Sequence, residues 1–202
     1  MNALPSTSLK EHAGRLSICK HQKMFLMLIS TDSNNTDNVV ALGNEDITMK
    51  DGIVLQIDGE LAFVTIQRPQ ARNALDRQSA DDFQKAIATI NTNDAVRAVV
   101  LTGAGGVFCA GADLTELADK GATYPPWAGA VGPLAKPCEK PVIAAIEGHA
   151  VAGGLGVALW ADLRVASETA VFGVFCRRFG VPMSDGTPTR LPKVIGRSRA
   201  LD

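Results

Sequence analysis

The chain has 202 residues, 46% of them hydrophobic, enough for one sizeable core and one domain. Twenty basic residues against twenty-one acidic ones leave a near-neutral balance, which gives no reason to expect a nucleic-acid or membrane-surface partner. Cys19, Cys109, Cys138 and Cys176 are widely spaced with no Cys-x-x-Cys pair, and with only three histidines they support neither a metal site nor a disulfide framework.

Residues 1–48 show no sustained period and read as a poorly ordered N-terminal extension, with a polar, turn-rich run at 31–38 of linker composition. Within it, Met24-Phe25-Leu26-Met27-Leu28-Ile29 follows Lys10, Arg15, Lys20 and Lys23, which gives it some look of a targeting signal. The stretch is too short to cross a bilayer and no small-residue cleavage site follows, so it reads as a hydrophobic patch. No membrane span is expected anywhere, and the unpaired cysteines fit a reducing compartment, cytoplasm or mitochondrial matrix.

The folded core is expected at 49–202. Ile53-Val54-Leu55-Gln56-Ile57 and Glu60-Leu61-Ala62-Phe63-Val64-Thr65-Ile66 flank Asp58-Gly59, a strong hairpin signal. Residues 76–91 carry Phe83, Ala86, Ile87 and Ile90 at helical spacing, which predicts an amphipathic helix. A strand is expected at 96–101, a short helix at 114–118 and a mobile loop at 121–127. Further on come a strand at 141–146, a helix at 154–161, a strand at 163–166 and the start of another helix after Gly196.

Two small-residue segments follow the strands at 96–101 and 141–146: Phe108-Cys109-Ala110-Gly111-Ala112-Asp113-Leu114 and His149-Ala150-Val151-Ala152-Gly153-Gly154. Each places a tight turn where a substrate carbonyl could approach the main chain, and each can aim one backbone N–H at a common point, an oxyanion hole. The helix expected to begin near Gly154 would add the partial positive charge of its N-terminus there. Thr102-Gly103-Ala104-Gly105-Gly106 invites a dinucleotide-fingerprint reading, but Phe108 stands where the third glycine would fall, and that reading fails. Cys109 beside His149 suggests a nucleophile and base, yet no orienting group is evident; core packing for the cysteine and a satisfied buried position for the histidine are expected instead. Asp113 reads as the N-cap of the short helix.

In order and spacing, Arg68-Pro69-Gln70-Ala71-Arg72-Asn73-Ala74-Leu75, the Ala110-Gly111-Ala112-Asp113 turn, Lys140-Pro141-Val142-Ile143-Ala144, Gly153-Gly154 and Arg190-Leu191-Pro192-Lys193-Val194-Ile195-Gly196 resemble the crotonase superfamily, the enoyl-CoA hydratase/isomerase family. The resemblance implies an α/β fold, a crotonase-like spiral of repeated ββα units. It implies an acyl-CoA or enoyl-CoA thioester as substrate, with coenzyme A entering as part of that substrate and no separate cofactor. By motif position the oxyanion donors fall on Ala112 and Gly153, and CoA contacts on Arg68, Arg72, Asn73, Ala110 and Asp113. For the charged and amide side chains among these, solvated surface positions are the alternative. The resemblance further implies a homotrimer or hexamer and a C-terminal helical region with no counterpart here, so the chain reads as a fragment or a shortened relative.

The chief departure from the family pattern concerns proton transfer. Hydratases of the family place one glutamate three residues after the oxyanion glycine and a second about twenty residues on; Gly156 and Cys176 stand at those places. The remaining candidate is Asp185 in Val181-Pro182-Met183-Ser184-Asp185-Gly186. Dienoyl-CoA isomerases and aryl-CoA dehalogenases use an aspartate in this neighbourhood as base or nucleophile; alternatively, Asp185 simply closes a glycine-containing turn. Three readings stay open: a thioester-enolate enzyme, a catalytically silent acyl-CoA-binding or assembly protein, and a truncated form that does not assemble.

Overall fold

The computed structural model describes residues 47–49, 52–120, 127 and 132–201, all within the unit Leu42–Asp202. The polar run at 31–38, the apolar patch at 24–29 and most of the loop expected at 121–127 lie outside the described residues. Eight strands and five α-helices lie among them. The expected hairpin forms from β2 (Ile53–Asp58) and β3 (Leu61–Ile66), paired antiparallel from Ile53 opposite Ile66 to Asp58 opposite Leu61. The reversal falls at Gly59-Glu60, one residue later than the sequence suggests, because Gly59 takes the left-handed φ of 56° that opens the turn. A short strand β1 (Ile47–Met49) pairs with the outer edge of β2.

Helix α1 (Arg77–Thr92) carries the chain back over the sheet. It starts where it does because Asp76 accepts from the Ser79 backbone N–H at 2.8 Å while the Ser79 hydroxyl accepts from the Asp76 N–H at 3.0 Å, a reciprocal capping box. Its inward stripe of Ala80, Phe83, Ala86, Ile87 and Ile90 is buried, and Phe83 meets Trp160 edge to face with ring centroids 5.5 Å apart. From there the chain runs as β4 (Ala98–Gly103), α2 (Leu114–Lys120), β5 (Val142–Ile146), β6 (His149–Val151), α3 (Gly153–Trp160), β7 (Leu163–Ala166), β8 (Val171–Gly173), α4 (Thr187–Ile195) and α5 (Arg197–Leu201).

Strands β3, β4, β5 and β7 are parallel neighbours in a six-stranded sheet of order β1-β2-β3-β4-β5-β7, and β6 and β8 form a separate parallel pair. A parallel strand must be reached by a crossover, and each crossover begins in a turn at the C-terminal edge of the sheet. The turns after β4 and β5 therefore arrive side by side. Strands buried on both faces read as unbroken apolar runs, as Val99-Val100-Leu101 and Ala144-Ala145-Ile146 do here. No helix among the described residues is long and apolar enough to cross a membrane.

Candidate active site

The first turn is stitched on both sides. Toward β6, Cys109 donates its N–H to the His149 carbonyl at 2.9 Å and Val151 donates to the Cys109 carbonyl at 3.1 Å. On the other side, Leu75 donates to the Gly111 carbonyl at 2.8 Å, Asp113 donates to the Leu75 carbonyl at 2.9 Å, and Ala110 donates to the Arg72 carbonyl at 3.1 Å. The N–H groups flanking Ala112 are thus committed, while that of Ala112 has no acceptor among the described residues.

The second turn ends in α3. Ala152, at a left-handed φ of 50°, donates to the Gly173 carbonyl at 2.8 Å, and Gly153 opens the helix with an N–H that has no acceptor among the described residues. Helix geometry leaves the first N–H groups without intrahelical partners. The turns touch: a Cβ placed on Gly111, whose φ is +100°, would stand 2.7 Å from the Gly153 nitrogen. Only glycine permits this contact, and it sets the residue before one free donor against the nitrogen of the other.

Ala112 and Gly153 both line one cavity of about 360 Å³. Its lining includes the small or apolar residues Ala110, Ala112, Val151 and Gly153 of the two turns, the larger apolar side chains of Leu114, Trp127, Phe175, Phe179 and Val181, and the polar groups of Arg72, His149, Cys176 and Asp185. A mostly apolar cavity with few convergent polar groups is the usual form of a small-molecule site. Asp185 is 3% exposed; its Oδ1 accepts from the Thr187 N–H at 2.8 Å and its carbonyl accepts from Arg190 at 3.0 Å. The Cys176 thiol is pushed up from its ordinary value by burial and then by the negative charge of Asp185, so it stays protonated at neutral pH.

The other residues picked from the sequence divide. Arg72 is exposed at the cavity and Ala110 lines it. Arg68, Asn73 and Asp113 are neither in the cavity lining nor solvated surface groups. Asn73 is fully buried: its Oδ1 accepts from the Arg68 N–H at 2.9 Å and its amide donates to the carbonyls of Ala104 at 2.8 Å and Val107 at 2.5 Å. Arg68 pairs with Asp76 at 2.9 Å and Asp113 at 3.1 Å. Asp113 also caps α2, accepting from the Thr115 N–H at 3.0 Å. These three hold the first turn to the 68–75 segment.

Cys109 packs in the core as expected; burial pushes its thiol up to about 12, which keeps it protonated at neutral pH. His149 is a correction: it is exposed and lines the cavity, because β6 is three residues long and only Ala150, at its centre, points into the core. Sequence reasoning missed Trp127, 3% exposed, whose ring lies where a Gly153 side chain would be, with Cζ3 2.9 Å from that Cβ position. No local pattern marks it, since its contacts are made to a turn remote in sequence.

The family model described as enoyl-CoA hydratase/isomerase matches residues 56–202. The chain belongs to the enoyl-CoA hydratase/isomerase family. Among its members, the YngF protein of Bacillus subtilis is 39% identical over 158 residues, covering 75% of this chain and 61% of the relative. A crotonyl-CoA hydratase of Syntrophomonas wolfei is 34% identical over 155 residues, covering 74% and 60% respectively. The solved enoyl-CoA hydratase of Mycobacterium tuberculosis H37Rv superposes with a TM-score of 0.66 at 40% identity, covering 75% of this chain and 64% of that one. The fold is therefore the crotonase fold of that family, and this chain spans about three fifths of the length of the relatives it matches.

Proposed function

We propose that this chain handles an acyl-CoA or enoyl-CoA thioester, holding the thioester carbonyl between the N–H groups of Ala112 and Gly153 while enolate character develops, with Asp185 carrying the proton. The observation that carries the reading is that two backbone donors without an acceptor among the described residues and a buried carboxylate all belong to residues lining one cavity. Donors preorganised toward a developing oxyanion lower the barrier by about 10²–10³ in rate each. A positioned general base adds about 10²–10⁴.

The groups available favour a double-bond shift over hydration. A shift needs one carboxylate, which takes the proton from the carbon beside the carbonyl and returns it two carbons along. Hydration asks for a further group to activate water. The position of the family's second glutamate holds Cys176, whose protonated thiol has no basic electron pair to offer at neutral pH. Arg72 at the cavity edge supplies a positive charge for CoA phosphate. The assembly proposed for the whole protein is the homotrimer or hexamer implied by the resemblance.

The two reactions move the conjugated enoyl-thioester absorbance in opposite directions. A trans-3-enoyl-CoA should gain it on mixing with the protein, and a trans-2-enoyl-CoA should lose most of it only by hydration, since the reverse shift stops at an equilibrium that favours the conjugated isomer. Asp185→Asn should abolish most of the gain; unchanged turnover in that variant would sink the role given to Asp185. The second reading, a catalytically silent thioester-binding protein, is favoured by the absence of both family glutamates at Gly156 and Cys176. Thioester binding without an absorbance change from either isomer would select it.

A further inference from the structure

Gly156 lies inside α3, three residues after the Gly153 donor, where glycine is the poorest helix former other than proline. A Cβ built on it would stand 2.6 Å from the Cβ of Asp185, 2.8 Å from its Cγ and 2.9 Å from its Oδ2. Real Cβ atoms essentially never come that close to their neighbours. The Asp185 carboxylate therefore occupies the volume into which any side chain at 156 would grow.

Asp185 cannot step aside freely. Its Oδ1 is tied to the Thr187 N–H and its carbonyl to Arg190, and the next residue, Gly186, is fixed at a left-handed φ of 82° at the start of α4. Displacing it would cost a hydrogen bond to a buried carboxylate.

We propose that positions 156 and 185 are two mounts for a single carboxylate seat beside the oxyanion turn, and that glycine at 156 is the positioning residue that gives the seat to Asp185. The seat can be filled from the helix or from the loop, but not from both. An acidic side chain added at 156 thus competes with Asp185 instead of adding a second proton carrier. The use of the seat in proton transfer rests on the function proposed above; its exclusivity does not.

Two measurements on the full chain separate these layers. In a thermal-unfolding cycle, Gly156→Ala should lower Tm when Asp185 is present and raise it in the Asp185→Gly background, where the helix preference for alanine is no longer opposed by contact. Equal shifts in both backgrounds would overturn the shared seat, whatever the activity. In turnover of enoyl-CoA thioesters, Gly156→Glu alone should fall by about a hundredfold, the scale of a 1 Å misplacement. Gly156→Glu combined with Asp185→Gly should recover most of that loss. Native-like or higher turnover from Gly156→Glu alone would also overturn the proposal. If the native chain turns over no thioester while the Tm shifts invert, the seat stands and the assigned chemistry fails.

Discussion

Gly111 concentrates the geometry of the oxyanion turn in one atom pair, so Gly111→Ala is the most informative single perturbation. At φ +100° an alanine is strained whatever the space around it, at about 1–3 kcal/mol. Its methyl would also sit 2.7 Å from the Gly153 nitrogen and 3.2 Å from the Ala152 Cβ, and overpacking against a fixed neighbour costs a further ~1–3 kcal/mol. The expected loss of about 2–6 kcal/mol is a large share of the ~5–15 kcal/mol that stabilises a domain. Because the atom pushed is itself a proposed oxyanion donor, turnover should fall by about 10²–10³ in the molecules that remain folded. Gly59→Ala is the control: its φ of +56° carries left-handed strain of about 1–2 kcal/mol, but nothing lies within 4 Å. Urea denaturation followed by circular dichroism, with thioester turnover measured well below each midpoint, compares the two. Similar stability losses in both variants with turnover unaffected by Gly111→Ala would refute the contact and with it the placement of Gly153 as a donor.

Asn73→Ala should cost about 2–5 kcal/mol in urea denaturation, since it unpairs the Arg68 N–H and the carbonyls of Ala104 and Val107 at a fully buried position and removes an asparagine from a φ of 56°. Arg72→Ala should leave Tm nearly unchanged and raise the KM for CoA thioesters about tenfold, roughly 1.4 kcal/mol of lost binding; an unaltered KM would place the CoA phosphates elsewhere. Stability should also fall at alkaline pH. Burial raises the folded Cys109 thiol from 9.0 to about 12, so the folded state keeps a proton that the unfolded chain releases. Its contribution is complete below pH 9.0 and is lost toward pH 12 at about 1.4 kcal/mol per pH unit, a slope that Cys109→Ala should flatten in denaturation series at stepped pH.

Local and periodic signals in the chain were enough to place its elements. Alternation around Asp58-Gly59 gave the hairpin, the spacing of Phe83, Ala86, Ile87 and Ile90 gave α1, and the small residues around Gly111 and Gly153 marked the two turns that follow β4 and β5. What α/β topology does with them was decided only in three dimensions. Parallel pairing of β4 with β5 brings two turns together that are distant in sequence, and the Gly111 to Gly153 contact has no trace in either segment alone. The same holds for the charged and amide residues near position 70. Their composition fits a CoA contact or a solvated face equally; in the fold Asn73 is buried, Arg68 is paired with Asp76 and Asp113, and Arg72 stands at the cavity. Gly156 shows the limit most directly. In sequence it is only a missing glutamate, whereas in the fold it is the space that Asp185 fills, because a side chain's room is set by neighbours brought in from elsewhere along the chain.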